Sequence, residues 1–184
     1  MRIIGGEAKG RRLKVPQRAG TRPTADRVRE TIFNILGQRL HGERVLDLFA
    51  GSGAFALEAL SRGAGSAVLV ERDRAAAAIC SENAAALGYT ARVQVMRAEM
   101  GQALQRLPGP FQLVFVDPPY ADGPAAALAL LAERGLVEAG GMVVAEHDKR
   151  EELAARYGAL VRKDVRRFGD TAVSFFEHTP QEPA

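Results

Sequence analysis

Cysteine is almost missing from this chain. Cys80 is the only one, so no internal disulfide can form, and a reducing cytoplasm is the expected setting. It lies in an Ala-rich helical stretch and reads as a small buried hydrophobe rather than a nucleophile. His41, His147 and His178 are scattered without ligand spacing, so no metal site is expected. No apolar run approaches the ~20 residues of a membrane span, and the N-terminus has no apolar signal core. Internal repeats and low-complexity linkers are also missing. The 184 residues suit one domain, enough to bury roughly 70% of the surface of the unfolded chain.

Charge is present but uneven. Residues 1–44 hold 11 Lys/Arg against 4 Asp/Glu, whereas residues 45–184 hold 14 against 18. A basic arm on a mildly acidic body suggests a polyanionic partner, nucleic acid above all. A solvated, Arg-rich surface is the bland alternative, since arginine outnumbers lysine 21 to 4 throughout.

Residues 2–15 read as a hairpin, with Arg2, Lys9, Arg11, Arg12 and Lys14 placed to meet phosphates. A loop with Pro16, Gly20 and Pro23 follows. Thr24 is the expected N-cap of a helix that runs to about Leu40, with Val28, Ile32, Ile35, Leu36 and Leu40 on one face and Arg27, Glu30 and Asn34 on the other. Strands are expected at 45–49, 67–71, 92–96, 112–116 and 141–145, and helices near 53–62, 73–87, 99–107, 123–135 and 149–157. This alternation predicts an α/β fold with a parallel sheet and helices on both faces. Two more strands, 160–167 and 171–177, are joined by only three residues, so the seven-stranded sheet carries an antiparallel strand at one end. The expected organisation is an arm and loop over 1–22, a main domain over 23–178 and a frayed tail over 179–184.

The first main-domain strand ends in Asp47-Leu48-Phe49-Ala50-Gly51-Ser52-Gly53 and runs into a helix. Strand, glycine turn and helix bring backbone close to a ligand. The pattern Gly51-x-Gly53-x-x-Ala56 also satisfies the loose dinucleotide fingerprint, a weak signal by itself. Glu71, at the end of the second strand, can accept from ribose hydroxyls, which serves NAD and S-adenosylmethionine equally. Asp47 discriminates better. A carboxylate there suits the ammonium and sulfonium of S-adenosylmethionine and repels a pyrophosphate. It can also pin the glycine loop through backbone amides. Glu99 is a candidate for the adenine edge, or a first-turn carboxylate in solvent.

The fourth strand ends in Asp117-Pro118-Pro119-Tyr120. Two prolines remove two amide donors, so the loop offers acceptors only. Such a cradle suits a flat exocyclic amine. Asp117 and the Pro118 carbonyl would accept its N–H groups and Tyr120 would stack on the base. A rigid turn after a buried strand is the alternative.

Asp117–Tyr120 resembles the Asp/Asn-Pro-Pro-aromatic motif of class I methyltransferases that act on exocyclic amines. Asp47–Gly53 with Leu57–Ala64, Arg22–Thr31, and the opening Arg2–Gly6 are similar to the bacterial RsmD family, over residues 1 to about 177. The resemblance implies a Rossmann-like fold and S-adenosylmethionine as methyl donor. It implies N2-methylation of one guanine in 16S rRNA, within an assembled or assembling small ribosomal subunit. A monomer is expected. Asp117, Pro118, Pro119 and Tyr120 would be catalytic. Asp47, Phe49, Gly51, Gly53, Glu71, Arg72, Ala98 and Glu99 would hold the donor. Arg2, Lys9, Arg11, Arg12, Arg22, Thr24 and Arg27 would meet RNA. Two departures stand out: Phe55-Ala56 replaces Leu-Gly, and Glu99 replaces Asp.

Three other readings compete. A DNA adenine-N6 methyltransferase would use the same cradle, but no extra segment is large enough to read DNA. A nicotinamide-dependent oxidoreductase leaves 117–120 unexplained. A non-catalytic RNA-binding module accounts for the arm alone.

Overall fold

A computed structural model describes residues 1–16, 23–119 and 121–180. Arg22 and Tyr120, and residues 181–184 of the expected tail, lie outside the described residues. Five strands run parallel: β1 (Arg44–Asp47), β2 (Ser66–Glu71), β3 (Val93–Arg97), β4 (Phe111–Val116) and β5 (Val137–Asp148). Three more follow, β6 (Arg156–Tyr157), β7 (Leu160–Phe168) and β8 (Thr171–His178), and the sheet order is β3-β2-β1-β4-β5-β8-β7-β6. The sheet therefore has eight strands, not the expected seven. β8 pairs antiparallel with β5, and the short β6 also runs against the parallel set.

The extra strand stands where a helix is expected over 149–157. The Lys149–Tyr157 sequence has good helix formers, but a nine-residue helix is marginal without packing. Asp148 instead caps a turn by accepting from the Arg150 amide at 2.8 Å, and Arg156 and Tyr157 pair with Val161 and Leu160 of β7. Tertiary pairing overrides the local preference.

The helices are α1 (Pro23–Leu36), α2 (Ala54–Ser61), α3 (Arg74–Leu87), α4 (Met100–Arg106) and α5 (Ala125–Glu133). α1 starts at Pro23, so Thr24 lies inside its first turn rather than ahead of it, and the helix ends at Leu36, short of Leu40. Ile35 is 40% exposed and does not share the buried face; Phe33 takes that place, fully buried.

Each face of the sheet has its own core. One holds Ile32, Phe33, Leu57, Leu60, Leu69 and Phe115 under α1, α2 and α3; the other holds Leu46, Val114, Leu128, Leu131 and Phe176 under α4 and α5. Phe115 is the centre of the first, with Phe55 stacked on it at 4.9 Å and Phe33 tilted against it at 5.8 Å between ring centroids. The Phe55 departure from the family pattern thus fills space over Phe115.

The N-terminal segment makes one antiparallel bridge, Arg2 with Arg12, rather than two regular strands. It is held to the body instead. Ile3 and Leu13 are buried in the α1–α3 core. The buried Glu58 carboxylate of α2 accepts from the Ile4 and Gly5 amides, both at 2.7 Å, and from Arg62 Nε at 2.8 Å. Arg29 Nε lies 3.7 Å from the same carboxylate, and Arg29 Nη2 donates to the Arg2 carbonyl. Gly6 sits so close to α2 that a Cβ there would fall 1.8 Å from the Ser61 carbonyl oxygen.

Candidate active site

A cleft of about 720 Å³ opens at the carboxyl ends of β1, β2, β3 and β4. In open α/β sheets this is where ligands bind. The structure brings Phe49, Glu71, Arg72, Ala98, Glu99 and Asp117–Pro119 to its walls. Asp122 and Glu146, which sequence reasoning passes over, join them. Asp122 follows the Asp-Pro-Pro stretch closely enough to have been a signal. Glu146 gave none, because only the pairing of β5 beside β4 brings it to the cleft.

Asp47, Gly51 and Gly53 lie behind the wall. Asp47 is buried and its Oδ2 accepts from the Ala56 amide at 3.4 Å. Its Oδ1 is buried with no hydrogen-bond partner among the described residues. Burial, and then the nearby Asp117 charge, push its carboxyl up to about 7, against the pull of the Ala56 and Phe49 amides. Gly53 has φ 78°, and a Cβ there would meet Leu69 Cδ2 at 2.8 Å, so the turn closes tightly only with glycine.

Glu71 braces the turn from the next strand. Its Oε2 accepts from the Gly51 amide at 2.9 Å and its Oε1 from the Asp73 amide at 2.8 Å. Asn83 of α3 closes the assembly by donating to the Ser52 carbonyl at 2.9 Å and the Lys14 carbonyl at 3.0 Å. Cys80 is buried beside it; its thiol is pushed up to about 12 by burial and donates to the Gly51 carbonyl at 3.3 Å.

Opposite the turn, Asp117 follows directly on β4 with its carboxylate free of hydrogen bonds among the described residues. Burial pushes its carboxyl up to about 6. The Pro119 carbonyl accepts from the Asp122 amide at 2.9 Å, which fixes the loop. Among the described residues, five carboxylates therefore face the cleft, from Glu71, Glu99, Asp117, Asp122 and Glu146, against one cation, Arg72. Arg72 leans on Glu99 at 3.9 Å, and both side chains are well exposed. The field favours a cation and disfavours a phosphate.

The basic residues lie elsewhere. Arg2, Lys9, Arg12 and Arg27 are exposed on the arm and α1. Arg11 Nη2 donates to the Ala86 carbonyl of α3 at 2.5 Å. Arg29 is buried against Glu58, and Arg44 stacks on Phe111 at 5.0 Å, so the charge count of residues 1–44 overstates what a partner meets. Arg27, Glu30 and Asn34 line a groove beside the arm, not the cleft.

The family model described as Conserved hypothetical protein 95 matches residues 1–177. The chain is 41% identical over 182 residues to YlbH of Bacillus subtilis, covering 96% of this chain and 98% of that one. It is 46% identical over 123 residues to Ribosomal RNA small subunit methyltransferase D of Escherichia coli, covering 67% of this chain and 62% of that one. The chain belongs to the RsmD family. The solved structure of Escherichia coli yhhF shares the fold of this RsmD-family chain with a TM-score of 0.86 and 36% identity, over 98% of this chain and 99% of that one. As an RsmD-family protein it is a methyltransferase whose donor is S-adenosylmethionine. The site fits that donor: a cation-favouring cleft, a carboxylate behind the glycine turn with an orphaned oxygen, and Glu71 at the end of β2.

Proposed function

We propose that this RsmD-family enzyme methylates N2 of a guanine in 16S rRNA, acting as a cytoplasmic monomer on the small ribosomal subunit. One observation carries the reading: Asp117 and Pro118, whose acceptors hold no hydrogen bond among the described residues, line the same cleft as Glu71 and Phe49. S-adenosylmethionine supplies an electrophilic methyl group on a sulfonium. Asp47, Phe49, Gly51, Gly53, Glu71, Arg72, Ala98 and Glu99 are assigned to hold it.

The chain's own part is to make a poor nucleophile attack. The guanine N2 lone pair is delocalised into the ring. Two acceptors on its N–H bonds pull the amine out of conjugation and raise its electron density. Asp117, with a carboxyl near pH 6, is ionised at neutral pH and takes the proton that the methylated nitrogen sheds. The base reaches the cleft out of its stack, since the acidic rim repels the phosphates around it. Tyr120 is assigned to stack on it.

Incubation with methyl-labelled donor and small subunits lacking the modification tests this. Nuclease digestion and mass analysis of the nucleosides should give N2-methylguanosine. Label on adenine N6, or none on guanine, would remove the reading.

A further inference from the structure

A second concavity runs along the seam between the N-terminal arm and α1. Its upper part, about 550 Å³, lies between Arg2 and Lys9 of the arm and Asp26 and Arg27 of the helix. Its lower part, about 730 Å³, opens toward Asn34, Gln38, Arg39 and His41. Ile4, Lys9 and Glu30 line both, so the two are one groove.

Its direction follows from the core. Phe33 packs on Phe115 near the end of β4, while Leu36 lies beside Gln112 and Leu113 near its start. α1 thus runs against the parallel strands, and its first turn lies at the end where the methyl-transfer cleft opens. The groove leads from the reaction end to the far end of the sheet, along about 15 Å of helix from Asp26 to Leu36.

Its chemistry is that of a backbone track. Arg2, Lys9, Arg27 and Arg39 are exposed and make no ion pair among the described residues. Of the three acidic liners, Asp26 is paired with Arg29 at 3.1 Å and Glu7 with Arg92 at 2.9 Å, which leaves Glu30 as the carboxylate set against four cations among the described residues. Asn34 and Gln38 add amide donors. Among the described residues no Phe, Tyr or Trp lines the groove, so none of them stacks bases there. Apolar lining is limited to a few aliphatic side chains such as Ile4, Leu40 and Leu60, too little for a protein segment to bury against.

We propose that this groove holds the sugar–phosphate backbone of the RNA strand leading away from the target nucleotide, with Arg39 as its far anchor. The proposal rests on the reading that the substrate is RNA. It explains how an enzyme with an acidic reaction cleft gains affinity for a polyanion: the phosphates bind along α1, and only a neutral base enters the cleft.

The test uses the full chain and fluorescein-labelled oligouridylates of about three and about nine nucleotides, titrated across a range of salt concentrations. The wild type should bind the longer probe more tightly. Arg39→Glu should weaken that binding roughly three- to tenfold and remove most of the length dependence. Arg39→Gln should make the log–log salt slope shallower by about 0.7, the value for one phosphate contact on a single strand. Asn34→Leu, which removes an amide donor without changing charge or adding a stacking surface, should weaken the longer probe alone. Arg106→Glu, on α4 across the sheet, should change nothing.

Failure of the wild type to bind the longer probe overturns the proposal. So does unchanged affinity and slope in both Arg39 variants and Asn34→Leu, or an equal loss in Arg106→Glu. The probes contain no guanine, so the result is independent of whether guanine N2 is the methylated atom.

Discussion

Replacing Asp47 by Asn should make the donor-free protein more stable, although Asp47 is assigned to the cofactor site. Its carboxyl lies at about 7 in the fold against 3.8 in the unfolded chain. The folded state therefore binds this proton more tightly. The stabilisation is complete below the unfolded value and is lost as pH rises toward 7. A difference of about three units, at about 1.4 kcal/mol each, sets a ceiling of ~4 kcal/mol on what ionisation costs the fold. An Asn side chain keeps an oxygen for the Ala56 amide and carries no charge. Its amide group at the Oδ1 position has no acceptor among the described residues, which offsets about 1–3 kcal/mol. The expected net gain at about pH 8 is ~2 kcal/mol, a rise in Tm of roughly 4–8 °C for a domain of this size. Differential scanning calorimetry without donor, at about pH 6 and about pH 8, measures it. Wild-type Tm should fall between the two and the variant's should stay flatter. Added S-adenosylhomocysteine should stabilise the variant less than the wild type. A Tm at about pH 8 no higher than wild type would show that the Asp47 charge is satisfied in the fold, and the reasoning would fail.

Asp117→Ala should lower kcat by at least about 100-fold while donor affinity, followed by calorimetry, changes little, because its bond to the amine matters most in the transition state. In the wild type, kcat should rise with pH through about 6 as Asp117 ionises, and a profile flat from about pH 5 to 8 would count against its role as proton acceptor. Glu58→Ala leaves the buried Arg29 and Arg62 side by side and the Ile4 and Gly5 amides unpaired. It should cost about 3–5 kcal/mol in denaturant titration and expose the arm to protease; a loss under about 1 kcal/mol would contradict the anchoring role. Neutralising Arg12 should make the salt slope of RNA binding shallower by about 0.7, while Arg11, already spent on the Ala86 carbonyl, should matter less in the same titration.

Much of the fold was readable along the chain because its signals are local. Val45–Phe49 is a short run apolar but for Asp47, and Leu113–Val116 is a short apolar run closed by Asp117, the mark of strands buried on both faces. The short connection expected at Phe168–Asp170 permits only a hairpin, and β7 and β8 form one across Gly169 and Asp170. Lys149–Tyr157 was misread because its helix-forming composition is also local, whereas pairing with β7 is not. Ile35 was misread for a related reason: periodicity gives a face, but which edge of that face meets the sheet depends on how α1 is rotated against Phe115.

The sequence by itself determined the order of strands and helices outside Lys149–Tyr157, the glycine turn and the acceptor-only loop after the fourth strand, since each depends on residues adjacent in the chain. Tertiary structure alone decided which charges remain available. Arg29 and Arg44 sit in the basic stretch, yet one is locked against Glu58 and the other lies on Phe111. Arg39, separated from the arm by the whole of α1, comes to share its groove. The physical reason is that burial and charge pairing are set by what folding brings side by side, and residues far apart in the chain carry no mark of that neighbour.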